Sequence, residues 1–170
     1  MEVTRIRALR GPNLWSRHTS IEAMIRCAPD EFSIDRIPRF EARLRSRFPL
    51  IGAIRPIGYV GDVPLAQALQ FAALRLQAQA GCPVTFSRTA ATREAGLFQV
   101  VFEYTEEAVG RLALTLAEEL IRAALGDTPF DLDSAIGKLH SLDEDIRMGP
   151  STGAIADAAR ERGIPMRRLT

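Results

Sequence analysis

A chain of 170 residues is long enough for one compact domain with a buried core, and 46% of its residues are hydrophobic. No apolar run approaches the roughly 18 residues of a membrane-spanning helix, and no charged-then-apolar leader follows Met1. The sequence therefore excludes a membrane span and a signal peptide and predicts a cytoplasmic protein. The formal net charge of +1 conceals an uneven distribution: residues 1–60 hold eleven arginines and six acids, whereas residues 94–145 hold three basic residues and twelve acids.

Arginine supplies all but one of the 22 basic residues, the exception being Lys138. A guanidinium binds a carboxylate or phosphate through two parallel hydrogen bonds, which an ammonium group cannot do. The bias is therefore consistent with anion binding. A genome that prefers arginine codons would produce the same bias.

The first quarter of the chain predicts two strands and a helix. Residues 2–9 and 21–27 have the apolar content of strands, and the turn Gly11-Pro12-Asn13 follows the first. A helix is predicted over residues 37–48, with Pro38 at its first position and Pro49 as its end.

The middle of the chain predicts a helix and a second pair of strands. A loop rich in glycine and proline over residues 52–61 precedes a helix over 64–80, which Gly81 and Pro83 end. The strands are predicted at 84–86 and 97–104, separated by the polar segment 87–96.

The last third predicts helices. Thr105 is expected to cap a long helix that ends at Gly126, and further helices are predicted over 132–146 and 151–162, followed by a strand-like segment at 166–169. Strands and helices come in separate runs rather than in strict alternation. This order predicts the α+β class: a mainly antiparallel sheet covered by helices, in a single domain.

Three segments together carry a resemblance to a known family. They are Leu9-Arg10-Gly11-Pro12-Asn13-Leu14-Trp15-Ser16, Val100-Val101-Phe102-Glu103-Tyr104 and Met148-Gly149-Pro150-Ser151-Thr152. In this order and spacing they resemble the N-terminal domain of cyanophycin synthetase over essentially all 170 residues. That family's full-length enzyme is a large ATP-dependent ligase that builds a polymer of aspartate with arginine on each side chain. The resemblance implies a domain core over residues 1–145, and a helix and strand over 146–170 that lead towards an ATP-grasp domain.

The resemblance also implies cofactors and partners. ATP and Mg²⁺ are expected for the full-length ligase and no cofactor for this domain, which alone is not expected to be an enzyme. The implied partners are the cyanophycin polymer and the ATP-grasp and Mur-ligase-like domains of the same chain, in a homo-oligomeric enzyme. Whether that enzyme polymerises free amino acids or ready-made dipeptides stays open.

Family members with an intact zinc motif carry His-x-x-Glu-His on the second helix, which implies a hydrolytic activity that trims polymer to provide primers. The motif places two imidazoles on one helical face around Zn²⁺, with the glutamate as base. Aligned on the segment Phe71-Ala72-Ala73-Leu74-Arg75-Leu76-Gln77, it falls on Gln67, Gln70 and Phe71. Amides are poor zinc ligands and a phenyl ring is none, so the metal site is expected to be lost.

A residual metallohydrolase that uses other ligands to cut cyanophycin into primers is the alternative function. The chain has two histidines, His18 and His140, and neither has a second histidine four residues away, which predicts surface or capping residues. Glu103, Glu106 and Glu107 lie where an acidic third ligand comes from in zinc-bearing relatives. Without histidines they are interpreted as carboxylates at a strand end and a helix start.

The remaining charges favour binding of the polymer. At about 100° per residue, four arginines share one face of the first predicted helix and are expected to face solvent. Cyanophycin presents free α-carboxylates and arginine side chains, so its partner needs basic and acidic groups close together. A helix face that serves solubility alone fits the same pattern. The predicted polymer-binding residues are Arg36, Arg39, Arg43, Arg47, Arg88, Arg93, Glu103 and Glu107.

A nucleic-acid module is a third interpretation, suggested by the abundance of arginine. A net charge near zero, and the lack of aromatic residues interleaved with basic ones, argue against it. The sequence therefore predicts neither a nucleic-acid nor a membrane partner.

Overall fold

A four-stranded antiparallel sheet forms one layer of the fold, and helices cover one of its faces. The computed structural model describes residues 1–12, 17–55 and 57–164. The strands are β1 (Glu2–Leu9), β2 (Ser20–Arg26), β3 (Ser87–Ala91) and β4 (Leu97–Glu103), in the spatial order β1-β2-β4-β3. The α-helices are α1 (Phe40–Arg47), α2 (Leu65–Gln79), α3 (Glu107–Gly126) and α4 (Leu132–Glu161), and short 3-10 helices span Pro29–Phe32 and Ile34–Arg36. The predicted α+β class is confirmed.

The core lies between this sheet and the helices α2 and α3. Alternate residues of β2, Ile21, Ala23 and Ile25, point to one face and are fully buried. On α3, residues at helical spacing form the apolar stripe that packs against them. The fully buried members of that stripe are Val109, Ala113, Ala117, Leu120, Ile121 and Ala124. No helix within the described ranges is long and apolar enough to cross a membrane.

The first helix is shorter than predicted, because α1 begins at Phe40 instead of residue 37. Arg39, directly before it, has the left-handed backbone conformation with φ of 59°, which a right-handed helix cannot contain. Pro38 is therefore outside the helix.

The prediction of a strand at residues 84–86 is wrong. The strand β3 begins at Ser87 instead, within the segment 87–96 that was predicted to be a polar connection. The reason is the carboxylate of Glu103, whose Oε2 accepts hydrogen bonds from the backbone N–H groups of Thr85 (2.8 Å) and Phe86 (3.0 Å). Those two donors bond to a side chain, so regular pairing with β4 starts only at Ser87.

The third long helix begins at Glu107 with Glu106 at its N-cap, so the predicted cap at Thr105 is wrong. The Thr105 hydroxyl instead lies 3.5 Å from Oδ1 of Asp143 on α4. The two helices predicted after residue 131 are α4, interrupted at Gly149 (φ of 72°).

The strand predicted at 166–169 lies outside the described residues. So does Asn13 of the first turn, and the division at residue 145 stays a prediction. Cys27 and Cys82 are buried free thiols.

Candidate functional site

Gln67, Gln70 and Phe71, the positions with which the zinc motif was aligned, line one cavity of about 350 Å³. Gln67, Gln70 and Phe71 are three and four residues apart on α2 and so lie on one side of the helix. The other lining residues come from the loop before α2 and from the edge strand β3; they are Ala53, Ile54, Ser87, Arg88 and Thr89. The shared face that the motif alignment required is present.

The loop that closes one side of the cavity is held in place by hydrogen bonds. Ile54 is buried, and its carbonyl oxygen accepts from Nε2 of Gln67 at 3.1 Å. Arg45 of α1 donates to the carbonyl oxygen of Gly52 at 3.0 Å, and this glycine has a φ of +86° that disfavours other residues. The cavity therefore has a wall fixed from both α1 and α2.

Gln70 is the most buried polar group of the cavity, with 3% of its surface exposed. Its Oε1 accepts a hydrogen bond from the Thr89 hydroxyl at 3.0 Å, which joins α2 to β3. Within the described ranges its Nε2 amino group has no hydrogen-bond partner, and it is not among the fully enclosed atoms. The two N–H donors of Nε2 are therefore open to the cavity.

The lining does not suit zinc. Two amides and a phenyl ring stand at the positions aligned with the motif, and no imidazole or carboxylate lines the cavity among the residues that the structure describes. Over residues 1–12, 17–55 and 57–164, no three His, Cys, Asp or Glu side chains come together in a way that could hold a metal ion.

Glu103, a predicted polymer-binding residue, lies away from the cavity lining and is 8% exposed. Besides its two backbone donors, it has Nδ1 of His18 3.3 Å from its Oε1. The second histidine, His140, has Nδ1 3.2 Å from the carbonyl oxygen of Ala80, the residue directly after α2. Both histidine side chains are 57% exposed, as the prediction of surface or capping residues requires.

Glu107, the other predicted acidic residue, is bound by two arginines. Its Oε2 accepts from Nη2 of Arg10 at 2.7 Å, and its Oε1 accepts from Nε of Arg111 at 2.9 Å. The hydrogen bonds from Arg10 and then from Arg111 lower the pKa of Glu107 below its usual value. Glu107 is therefore ionised and engaged within the fold.

Arg43 and Arg47 do not both face solvent as expected, because they clamp α1 to the end of α3. The Arg47 side chain is only 11% exposed and donates to Oδ1 of Asp127 (3.0 Å) and to the carbonyl oxygen of Thr128 (2.6 Å). Nε of Arg43 lies 3.5 Å from Oδ2 of Asp127. The hydrogen bond from Arg47 and the charge of Arg43 lower the pKa of Asp127.

The predicted stripe of four arginines on one helix is wrong. Arg36 belongs to a preceding 3-10 helix and lies 3.8 Å from Asp62, and Arg39 precedes α1. Arg93 is exposed between β3 and β4. Of the eight predicted residues, Arg88 alone is among those that line the cavity.

The uneven charge of the chain is partly matched within the fold. Arginines of the basic half pair with acids of the acidic half: Arg10 with Glu107, Arg26 with Glu94, and Arg43 and Arg47 with Asp127.

Sequence reasoning missed Ser87 and Thr89 as lining residues because the segment 87–96 was interpreted as a connection. The β-branched Thr89, next to two alanines, was the available strand signal.

Comparison with known proteins gives a family. The family model described as the cyanophycin synthase-like N-terminal domain matches residues 24–126. Cyanophycin synthetases of Trichormus variabilis and of Nostoc sp. are each 34% identical over 185 aligned positions, and that of Crocosphaera subtropica is 28% identical over 190. These alignments cover all of this chain and 20%, 20% and 21% of the relatives, so the chain spans about a fifth of their length. The chain belongs to the cyanophycin synthase-like N-terminal domain family.

Proposed function

We propose that this domain is a non-ligase module that binds or positions the aspartate–arginine polymer for ATP-dependent ligation by later domains, without cutting it. The observation that carries the proposal is the lining of the cavity on α2. It offers amide and hydroxyl groups, which suit a peptide. It offers no imidazole or carboxylate among the described residues, so the base that hydrolysis by the zinc motif requires is missing there.

Exposed arginines near the ends of the fold's elements support a wider binding surface. Arg36 and Arg39 precede α1, Arg93 lies in the turn after β3, and all three are exposed. Carboxylates of a polymer can approach such groups without breaking the internal clamp formed by Arg43 and Arg47. Exposed charge pairs are screened over about 8 Å at physiological ionic strength, so this part of the binding would weaken with salt.

The activity of the whole protein follows from the same proposal. We place this module ahead of ATP-grasp and Mur-ligase-like domains, with ATP and Mg²⁺ used by those domains, in a homo-oligomeric cytoplasmic ligase. The support is the resemblance over the full chain and the fraction of the relatives that it spans.

The test is co-sedimentation of the purified domain with insoluble cyanophycin at low and high salt, together with assay of the supernatant for released shorter chains. We expect the domain to sediment with the polymer at low salt and to release nothing, with or without added Zn²⁺. The matched comparison is the triple variant Arg36→Ala, Arg39→Ala and Arg93→Ala, which should bind more weakly while its circular dichroism stays unchanged.

Two results would contradict the proposal. Failure to sediment at low salt would exclude polymer binding by this domain. Release of shorter chains by the wild-type domain, lost on Gln70→Ala, would instead establish the metallohydrolase alternative.

A further inference from the structure

We infer that the outer edge of β3 and the cavity on α2 together bind an extended peptide, which pairs with β3 as an added strand of the sheet. In the polymer this peptide is the aspartate backbone. The group that enters the cavity is the amide that joins an arginine to an aspartate side chain. The inference rests on the proposed function and deepens it by naming the surface and the chemical groups that meet there.

The register of β3 shows which of its backbone groups face the neighbouring strand. β3 is at one edge of the sheet, and its pairing with β4 is uniform over Ser87–Ala91. Two hydrogen bonds flank this stretch in the same register: the N–H of Glu103 donates to the carbonyl oxygen of Phe86 at 2.9 Å, and the N–H of Thr92 donates to that of Leu97 at 3.0 Å. In an antiparallel pair, hydrogen-bonded and non-bonded positions alternate along the strand. Every second residue counted from Phe86 therefore bonds to β4.

The residues between them direct their backbone groups outwards. Arg88 and Ala90 are the ones that bond to β4, so the N–H and C=O groups of Ser87, Thr89 and Ala91 point away from the sheet. Over the described ranges, no hydrogen bond from outside the sheet reaches the backbone of these three residues. None of the three is buried. A row of unpaired backbone groups is a template for a further strand.

The two edges of the sheet differ in how well they would accept a strand. At the opposite edge, β1 has a register shift between Val3 and Arg5, and such a bulge discourages pairing with another chain. β3 has neither a register shift nor a proline. The edge beside the cavity is therefore the one suited to an added strand.

The cavity adjoins this edge and is lined by neutral side chains. The Thr89 hydroxyl bonds to Gln70 of α2, so the side chains of Thr89 and Ser87 are on the face that the helices cover, where they line the cavity. The alternation of a strand puts the side chain of Arg88 on the opposite face of the sheet. A charged group would lose its hydration in a neutral lining without gaining a partner of opposite charge, so the cavity favours an uncharged polar group.

An amide is the uncharged group that matches the lining. Gln70 is 3% exposed, and the two N–H groups of its Nε2 have no partner in the part of the chain that the structure describes. Nε2 of Gln67 donates to the carbonyl oxygen of Ile54 at 3.1 Å, which leaves its Oε1 as an acceptor. Donors on one glutamine and an acceptor on the other suit the C=O and N–H groups of an amide. The volume of about 350 Å³ is at the small end of ligand sites and suits one side group of a peptide.

The experiment is amide hydrogen exchange of the isotope-labelled 18.7 kDa domain, measured residue by residue by NMR. The probe is a soluble synthetic segment of cyanophycin with four aspartate–arginine units. With saturating probe, we expect exchange at the N–H groups of Ser87, Thr89 and Ala91 to slow by about tenfold or more, because they become paired. Exchange at Arg88 and Ala90, which already bond to β4, should change by less than about twofold.

Three further probes test the two parts of the site. The same segment methylated at every backbone nitrogen keeps its charges and branches but cannot donate to β3, and it should bind about tenfold more weakly. Blocked tetramers of asparagine and of aspartate both lack arginine, and only the first has uncharged side-chain amides. We expect the asparagine tetramer to slow exchange at the same three residues, and the aspartate tetramer to bind about tenfold more weakly than it does.

Variants of the domain locate the binding. Gln70→Leu should weaken binding of the asparagine tetramer about tenfold, whereas Gln79→Leu, at an exposed glutamine of the same helix away from the cavity, should bind as the wild type does. Ala91→Pro removes an outward donor without removing a bond to β4, and should weaken binding of the segment about tenfold. If either variant at the site loses its native spectrum, the methylated segment and the two tetramers test the same contacts on the wild-type domain.

The outcomes separate this inference from the proposed function. Exchange that changes without the alternation along β3, equal binding of the methylated segment, or equal binding of the two tetramers would overturn the inference even if the domain sediments with cyanophycin. Slow exchange at Ser87, Thr89 and Ala91 in the free domain would also overturn it, because the edge would already be paired. Alternating protection by the asparagine tetramer without sedimentation would overturn cyanophycin as the peptide. Absence of both would overturn the two proposals together.

Discussion

Glu103 is expected to act in stability rather than in polymer binding. Its carboxylate accepts two backbone hydrogen bonds, from Thr85 and Phe86, in a position that is 8% exposed. A hydrogen bond to a charged group contributes about 1.5–3 kcal/mol, so Glu103→Ala should lower the free energy of unfolding by about 3–6 kcal/mol. The His18 pair adds little, because that histidine side chain is 57% exposed.

The measurement is urea unfolding followed by circular dichroism. In a thermal scan of a domain of this size the expected loss for Glu103→Ala corresponds to a fall of about 6–24 °C in Tm. Glu103→Gln keeps one acceptor oxygen for the two backbone donors and should lose about half as much. Glu94→Ala is the matched control, since its pair with Arg26 is about half exposed on both sides and should contribute at most about 1 kcal/mol.

Two results would refute this reasoning. One is an equal loss of stability in Glu103→Ala and Glu94→Ala. The other is a Glu103→Gln domain that unfolds as the wild type does but no longer sediments with cyanophycin, which would make the carboxylate a polymer contact.

Three further predictions concern packing, a thiol and the metal. Gly110→Ala should destabilise the domain by about 1–3 kcal/mol in urea unfolding, because the new Cβ would lie 2.7 Å from Cβ of Tyr104. Gly137→Ala, whose new Cβ would have nothing within 4 Å, should instead stabilise α4 by about 0.5–1 kcal/mol. Equal effects of the two substitutions would contradict the packing argument. Burial raises the pKa of Cys27 from 9.0 to about 11, so the free energy of unfolding should fall as the pH rises between those values, where the unfolded chain loses this proton first. In native protein at pH 8 this thiol should stay unlabelled by iodoacetamide. Rapid labelling in the folded state would show that the thiol is not buried. The zinc motif is restored in the triple variant Gln67→His, Gln70→Glu and Phe71→His. We expect weak zinc uptake by this variant in metal analysis after dialysis, since its two imidazoles lack an acidic third ligand among the described lining residues. Tight uptake would reveal a third ligand elsewhere.

Local patterns predicted the elements whose bounds are set by residues within the element itself. The long helices have clear apolar periodicity and the strand over Glu2–Leu9 alternates imperfectly, and the bounds of these elements agree closely with the prediction. The strand predicted at 84–86 failed because its amides bond to Glu103, about 18 residues away, which no local pattern reveals. The early start predicted for α1 failed because the left-handed conformation of Arg39 has no signature in an arginine.

The candidate site was predictable to the extent that it lies on one helix. Gln67 and Gln70 were placed together by helical spacing and by the resemblance. Arg88 and Thr89 join them only through the β3–β4 pairing, which depends on contacts across the chain. The role of Arg47 depends on the end of α3, about 80 residues further along the chain, which is why a helical wheel assigned it to solvent.

The pairing of β2 with β4 has a consequence for the chain while it is being made. Ser20 pairs with Glu103, about 80 residues later, and a ribosome that adds about 5–20 residues per second needs roughly 4–16 s to synthesise that stretch. A hairpin of β1 and β2 forms within microseconds, so β2 has one partner long before it can have the second. In the finished sheet β2 is a central strand. During those seconds, however, it is an exposed edge strand with an apolar face, which is a state open to aggregation. Translation is therefore the stage at which β2 is most open to pairing with another chain.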